Sequence, residues 1–252
     1  MVTVIVTGAS GAIGSAVVDA FLDRGYRVLG VDLNPAATDR TTSYQHVIAD
    51  VRSPDAMTTV ARSLDDDADV RHIIGVAGGA IAEEVGVTDI DQLDVELFRS
   101  SLELNLVSQY VALRAFLPSL RASAVHAPTA GVPDRSATVI SSVNGLIGMD
   151  MPAYSAAKAG QIGMVRVLAR LLGPEAIRVN AVAPGTVPTP RTEQVWSGDP
   201  DHFERLARRA PLGRLASCSD VASTVYAVAV ELTAITGQVV VVDAGQSATW
   251  TY

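Results

Sequence analysis

The sequence is poor in the residues on which several classes of protein depend. It has one cysteine, Cys218, which excludes an intrachain disulfide framework and a cysteine-rich metal cluster. No apolar run reaches the roughly 18 residues of a membrane span. No basic segment or cleavage site precedes the first strand-like run. We therefore expect a cytoplasmic protein without a membrane partner.

Positive charge is also scarce. Lysine and arginine total 19 against 27 aspartates and glutamates, the formal net charge is −8, and no basic stripe offsets it. Because such a charge repels a phosphate backbone, the sequence argues against a nucleic-acid partner. The acidic stretch 65–69 is interpreted as a solvated loop rather than as a metal site, and we expect no metal.

Small aliphatic residues are abundant. Of the 252 residues, 48% are apolar and only 5% are aromatic, with alanine and valine dominating. A chain of this length and composition can bury a sizeable core as one domain, which we expect to cover residues 1–252.

Short β-branched runs alternate with helical patterns along the chain. The alternation predicts an α/β fold, a Rossmann-type doubly wound parallel sheet of about seven strands with helices on both faces. The predicted strands cover residues 2–6, 27–32, 44–49, 70–76, 138–142, 177–183 and 238–243.

The segments between the strands are of three kinds. Long helices are predicted from about residue 94 to 120 and from 152 to 172, and Ser219-Asp220 is a candidate cap for a later helix. The polar, proline-interrupted segment 186–211 is interpreted as a mobile substrate lid. Segment 123–136 joins a helix to a strand, so we expect it at the edge of the sheet remote from ligands.

A glycine-rich turn separates the first strand from the first helix. It runs from Thr7 to Gly14, with Gly8, Gly11 and Gly14 spaced by three. Its backbone N–H groups and the following helix N-terminus can hold a pyrophosphate. An ordinary turn would have the same glycines, but the strand and helix around this one are the context that nucleotide binding requires.

Two further features extend the nucleotide hypothesis. Asp32 ends the second strand, roughly 20 residues past the glycines, where a carboxylate can bind the adenosine ribose and repel a 2′-phosphate. This favours NAD over NADP, although a solvated turn aspartate is the alternative. The fourth strand breaks at Ala77-Gly78-Gly79, where glycine lets a cofactor approach the backbone closely.

Tyr154 and Lys158 are the candidates for proton transfer. A helix places them on one face, with Cβ atoms about 5–6 Å apart. A neighbouring ammonium favours the phenolate and lowers the tyrosine's pKa, as an acid/base tyrosine requires. An exposed helix pair is the alternative. Asn105, inside the long predicted helix, is either surface-exposed or has a polar task, because asparagine is a mediocre helix former.

Together these motifs resemble those of the short-chain dehydrogenase/reductase superfamily, in its branch of short single-domain members. The resemblance covers essentially the whole chain and rests on the joint order of modest pieces. These are Thr7-Gly8 through Gly14, Asp32, Asp50-Val51, Ala77-Gly78, Asn105, Ser141-Ser142, Tyr154 with Lys158, Asn180 with Pro184-Gly185, and Gly237 with the final Val-Val-Val-Val-Asp.

The resemblance implies an NAD-dependent oxidoreductase that moves a hydride between a secondary alcohol or ketone and the nicotinamide. Tyr154 would be the general acid/base and Lys158 would lower its pKa and contact the nicotinamide ribose. Ser142 would hold the substrate oxygen, with Ser141 as the alternative, and Asn105 would anchor a water that links Lys158 to solvent. The implied cofactor-binding residues are Gly8, Ser10, Gly11, Ile13, Gly14, Asp32, Asp50, Val51, Ala77, Gly78, Tyr154, Lys158, Val187 and Thr189.

The chain departs from the family pattern in two places. Ala12 stands where common short members have glycine, a spacing found in the sugar-nucleotide branch, so an NAD-dependent epimerase or dehydratase is an alternative function. Gly75-Val76 replaces two asparagines, which removes two amides near the adenine end and the fourth strand. A non-catalytic NAD-sensing regulator is the third hypothesis.

The expected substrate is a small alcohol or ketone in a partly apolar pocket. The segments expected around it contribute Leu146, Ile147, Met149, Met151, Val195 and Trp196. The resemblance also implies a homo-oligomer, either a tetramer or a dimer. The terminal Trp250 and Tyr252 would then either cover a neighbouring subunit or fray.

Overall fold

A single parallel sheet organises the protein. The computed structural model describes residues 1–36, 41–65, 67–123 and 134–249, and within these ranges seven strands form a sheet in the order β3-β2-β1-β4-β5-β6-β7. The strands are β1 (Val2–Thr7), β2 (Arg27–Asp32), β3 (Tyr44–Ile48), β4 (Asp69–Gly75), β5 (Arg135–Ile140), β6 (Ile177–Pro184) and β7 (Val239–Val242). Every neighbouring pair is parallel, which confirms the predicted fold class.

Helices cover both faces of the sheet. They are α1 (Ala12–Leu22), α2 (Pro54–Arg62), α3 (Val95–Leu102), α4 (Ser108–Ala122), α5 (Asn144–Ile147), α6 (Pro152–Leu172), α7 (Pro190–Val195), α8 (His202–Arg209) and α9 (Cys218–Tyr226). Buried side chains of α2, α4 and α6 form one core layer, and those of α1 and α9 form the other. The strand order reverses between β1 and β4, and ligands of such sheets bind beyond the carboxyl ends at this point.

Several boundaries differ from the sequence prediction. β5 ends at Ile140, so Ser141 and Ser142 follow the strand instead of closing it. The helix predicted from 94 to 120 is divided by a π-helical turn, Glu103–Val107, which contains Asn105. The cap of α9 is Ser217, which accepts a hydrogen bond from the N–H of Asp220, and not the predicted pair at 219–220.

The predicted lid contains α7 and α8 rather than irregular chain alone. Among the described residues, no helix is both long and apolar enough to span a membrane, and no cluster of three metal-binding side chains occurs. Most of the 123–136 connection, and the tail with Trp250 and Tyr252, lie outside the described residues.

Candidate active site

The glycine turn between β1 and α1 is built by close backbone contacts. A Cβ atom on Gly14 would lie 1.9 Å from the carbonyl oxygen of Gly8, and one on Gly8 would lie 2.6 Å from the backbone nitrogen of Ala77. Gly8 also has a φ of +69°, which favours glycine. The fold itself therefore requires glycine at 8 and 14.

Gly11 differs from these two, because its nearest neighbour would be an ordinary 3.4 Å contact. Gly11 and Ala12 are exposed, and Gly11 caps α1 without any side-chain hydrogen bond. No acidic residue lies in the first turn of the helix. An open helix N-terminus of this kind fits a pyrophosphate, so the turn can hold a dinucleotide.

Asp32 stands beside this turn at the end of β2. Its carboxylate accepts hydrogen bonds from the backbone N–H of Ser10 at 3.0 Å and of Asn34 at 2.9 Å. These bonds fix a negative charge next to the open helix N-terminus. The partly buried Ile13 follows in α1 and packs against its core layer.

The other predicted cofactor residues are spread along the carboxyl edge of the sheet. The Asp50 carboxylate is paired with Arg52, whose hydrogen bond is the main reason that the pKa of Asp50 is lowered, and Val51 is buried. Ala77 and Gly78 lie in the loop that begins after β4 ends at Gly75. Val187 is buried, and Thr189 caps α7.

Tyr154 and Lys158 lie on the first turns of α6, facing the sheet. Tyr154 is partly exposed, and the Ser142 side chain lies close enough to its hydroxyl group to lower its pKa. Lys158 is 2% exposed, its ammonium donates to the Ile140 carbonyl at 2.7 Å, and it lies 5.4 Å from the centre of the Tyr154 ring. The structure therefore brings Ser142, Tyr154 and Lys158 together.

The two serines after β5 have different surroundings. The Ser142 hydroxyl lies near the Tyr154 hydroxyl and accepts a hydrogen bond from the backbone N–H of Asn144 at 3.2 Å. The Ser141 hydroxyl donates to the Lys158 carbonyl at 3.0 Å, so it is directed into the helix backbone. Ser142 is therefore the serine that reaches the tyrosine.

Asn105 is completely buried within the π-helical turn. Its side-chain oxygen accepts from the Gly79 N–H at 2.8 Å, and its amide donates to the carbonyls of Gly79 at 3.1 Å and of Ser101 at 3.0 Å. It thus fixes the loop after β4. A Cβ atom on Gly78 would lie 2.7 Å from the Asn105 oxygen and 3.7 Å from the Lys158 nitrogen, so these groups line one small space.

Burial changes the acidity of the tyrosine and the lysine. Loss of solvation raises the pKa of Tyr154 to about 12, and the nearby Ser142 side chain and the charge of Arg191 oppose this rise. Loss of solvation also lowers the pKa of Lys158 to about 7. The sequence prediction was that Lys158 lowers the pKa of Tyr154. In this structure the largest effect is desolvation, which raises that pKa, and the opposing effects come from Ser142 and Arg191.

Three residues near the site were not identified from the sequence. Glu84 is fully buried beside Tyr154. Gln109 donates to the Ala77 carbonyl, and its position four residues after Asn105, on the same helix face, is a signal that sequence reasoning could have used. Arg191 of α7 donates to the carbonyls of Gly78, at 3.2 Å, and Ala80. The contacts of Glu84 and Arg191 are long-range and left no pattern in the sequence.

A pocket opens between the loop after β4 and the lid helix α7. Its lining is mostly apolar with one guanidinium, and comprises Ala80, Ala82, Val85, Arg191, Gln194 and Val195. Beyond it, the rings of Trp196 and His202 stack at 4.0 Å with an interplanar angle of 10°. Of the predicted apolar lining, Val195 lies in this pocket.

Fold and site define a doubly wound α/β protein with an open glycine turn and a Ser-Tyr-Lys cluster at one edge of its sheet. A family model described as enoyl-(acyl carrier protein) reductase matches residues 8–247. An uncharacterized oxidoreductase of Schizosaccharomyces pombe is 34% identical over 246 residues, or 96% of this chain and 89% of the relative.

Solved structures agree with this match. An oxidoreductase of the short-chain dehydrogenase/reductase family from Burkholderia thailandensis has a TM-score of 0.85 at 32% identity, covering 98% of this chain and 93% of the other. The ligand-free aldohexose dehydrogenase of Thermoplasma acidophilum has a TM-score of 0.86 at 27% identity, with 100% and 96% covered. This chain belongs to the short-chain dehydrogenase/reductase family and is an oxidoreductase.

Proposed function

We propose that the protein transfers a hydride between NAD(H) and a secondary alcohol or ketone, with Tyr154 as general acid/base. The observation that carries this proposal is the position of the Ser142 side chain near the Tyr154 hydroxyl, with the buried Lys158 one helical turn further along α6. Both hydroxyls can bind one substrate oxygen, as proton transfer to or from it requires.

The chain's own residues hold the reactants and move the proton. The glycine turn and Asp32 would hold the dinucleotide, which supplies the hydride acceptor or donor when bound. In reduction, Tyr154 donates its hydroxyl proton to the developing alkoxide while Ser142 donates a hydrogen bond to the same oxygen. In oxidation, Tyr154 takes that proton back. Lys158 is buried against Ile140, and because its pKa is about 7 it can give up or take a proton near neutral pH and so exchange protons with Tyr154.

NAD is the cofactor that the charge at Asp32 favours. Two backbone hydrogen bonds fix this carboxylate beside the glycine turn, and a carboxylate beside the adenosine ribose would repel a 2′-phosphate. Fluorescence titration of the protein with NADH and NADPH tests this directly. Tighter binding of NADPH than of NADH would overturn the assignment. Asp32→Ala should reduce the difference between the Kd values for NADH and NADPH.

The Tyr154→Phe variant tests the catalytic role. The nicotinamide absorbance is followed with a panel of substrates, as NADH oxidation with apolar ketones and an enoyl thioester and as NAD reduction with aldoses. We expect the variant to bind NADH as the wild type does and to lose turnover by about 1,000-fold. Retained turnover would refute the role of Tyr154. Turnover without net NADH change would indicate an epimerase or dehydratase, and binding without turnover a regulator.

Two substrate classes are favoured by different observations. The mostly apolar pocket beside Val195 favours an apolar ketone or alcohol. The similarity to an aldohexose dehydrogenase favours a sugar. The ratio of kcat/KM for the apolar ketones to kcat/KM for the aldoses decides between them.

We also propose a homo-oligomer, a tetramer or a dimer. Four apolar side chains on α4, α6 and the adjoining π turn are more than one-third exposed, namely Val107, Tyr110, Val167 and Leu171. Light scattering on the eluting protein tests this, and a monomer at micromolar concentration would contradict it. The cytoplasmic location stays a prediction.

A further inference from the structure

Glu84 is a fully buried carboxyl group that the proposed hydride transfer does not use. It ends the short 3₁₀ turn Ala82–Glu84 in the connection between β4 and α3 and has 0% exposure. Its Oε1 atom accepts from the backbone N–H of Tyr154 at 2.7 Å, and its Oε2 atom accepts from the Ser101 hydroxyl at 3.2 Å. A buried carboxyl group needs such hydrogen-bond partners, because burying it without them costs folding free energy.

The helix that carries Tyr154 begins without a cap of its own. Met151 at the N-cap position provides no side-chain hydrogen bond and has φ 50° and ψ 79°. This left-handed backbone is unfavourable for a long side chain, and more so before Pro152. The first N–H groups of a helix need acceptors. Glu84 supplies one from 70 residues away, and a negative group is stabilising at this end of a helix.

The same contacts extend to Asn105. The carbonyl of Ser101 accepts from the Asn105 amide at 3.0 Å, while the hydroxyl of Ser101 bonds to Glu84. Asn105 in turn holds the backbone of Gly79. A continuous set of hydrogen bonds thus joins the start of α6 to the loop after β4, without passing through the Tyr154 phenol.

We propose that Glu84 is a positioning residue that fixes the first turn of α6 and so holds the Tyr154 phenol against Ser142. The inference rests on the proposed function only for its effect on turnover. The effect of Glu84 on the surroundings of Tyr154 is expected in the protein without cofactor or substrate.

Two variants separate the geometry from the charge. Glu84→Gln keeps an oxygen for the Tyr154 N–H and can pair its amide with Ser101, whereas Glu84→Ala removes both bonds. The charged and polar groups that act on the Tyr154 phenol are Ser142, Arg191, Asp150 and Glu84, with Lys158 beside the ring. The charge of Glu84 raises the pKa of Tyr154, so both variants should lower it.

The first measurement needs neither substrate nor cofactor. The protein is labelled with 3-fluorotyrosine, and the fluorine resonance of Tyr154, one of six tyrosines, is assigned with Tyr154→Phe. In Glu84→Gln we expect one sharp Tyr154 line that titrates at lower pH than in the wild type. In Glu84→Ala we expect the line to broaden or split, because the helix start loses its acceptor. Glu83→Gln is the matched control, since this exposed neighbour should leave the line unchanged.

The second measurement is turnover with whichever panel substrate is active. Glu84→Ala should lower kcat by about ten-fold or more with KM for NADH unchanged, because a misplaced acid/base group slows the chemical step. Glu84→Gln should restore most of kcat and move the Tyr154 limb of the pH profile to lower pH. The proposal would be overturned if Glu84→Ala kept the fluorine line and the kcat of the wild type. It would also be overturned if Glu84→Gln broadened the line and lowered kcat as much as Glu84→Ala does. An inactive wild type with the expected fluorine spectra would refute the hydride transfer alone.

Discussion

The pKa of Lys158 predicts how stability should change with pH. In the unfolded chain this amine has its ordinary pKa of 10.5, and in the folded protein burial lowers the pKa to about 7. Between these values the unfolded chain holds a proton that the folded protein has released, so stability rises with pH through this window and is lost as pH falls toward 7. One pKa unit corresponds to about 1.36 kcal/mol, so raising the pH from about 7 to 9 should add about 2 kcal/mol.

Lys158→Met isolates this contribution. Equilibrium urea unfolding of the cofactor-free protein is followed by the fluorescence of its two tryptophans at pH 7, 8 and 9. Because the other groups titrate alike in both proteins, the difference in unfolding free energy between wild type and Lys158→Met should move by about 2 kcal/mol in favour of the wild type. A difference that stays constant would mean that the ammonium keeps its ordinary pKa inside the fold, and our account of the site's electrostatics would be wrong.

Further predictions concern the glycine turn, the buried Arg178 and the two serines after β5. Gly14→Ala should destabilise the fold by about 3 kcal/mol in urea unfolding because its Cβ would overlap a carbonyl oxygen. Gly11→Ala should leave stability unchanged and weaken NADH binding by about ten-fold in fluorescence titration. Arg178→Met should lower the free energy of unfolding by about 3 kcal/mol, and Arg178→Lys by less, because the buried guanidinium donates to three backbone carbonyls. Ser142→Ala should reduce kcat by about 100-fold, whereas Ser141→Ala should mainly cost about 1 kcal/mol of stability.

Local patterns in the sequence were sufficient for the fold and the glycine turn. Strand and helix periods, together with turn residues, are encoded within a few neighbouring positions. The need for glycine at 8 and 14 follows from how closely the turn folds on itself, which the strand-turn-helix context already implied. The end of β5 was misplaced by two residues, because the β-branched run continues into two serines that lie beyond the last ladder pair.

The acidity of the site could not be predicted from spacing. The spacing of four from Tyr154 to Lys158 indicates that the two side chains are close, and proximity alone predicts a lowered tyrosine pKa. The direction is decided instead by how much water the fold removes, and Lys158 is almost completely buried with its ammonium on the Ile140 carbonyl. Burial depends on what packs over the helix from distant segments, including Glu84, and that information is absent from the local sequence.

The replacement of the family's two asparagines by Gly75-Val76 has a different meaning in three dimensions. A Cβ atom on Gly75 would lie 1.9 Å from the Oε1 atom of Gln109, so the side chain of α4 fills the space that an asparagine at 75 would need. The amide of Gln109 donates to the carbonyl of Ala77, directly before Gly78. An amide therefore does reach the loop after β4, but from a helix instead of from the strand. A position-by-position comparison with the family motif shows only that the two asparagines are missing. It does not show the compensating amide, because Gln109 lies 34 positions after Gly75 and is not part of the motif.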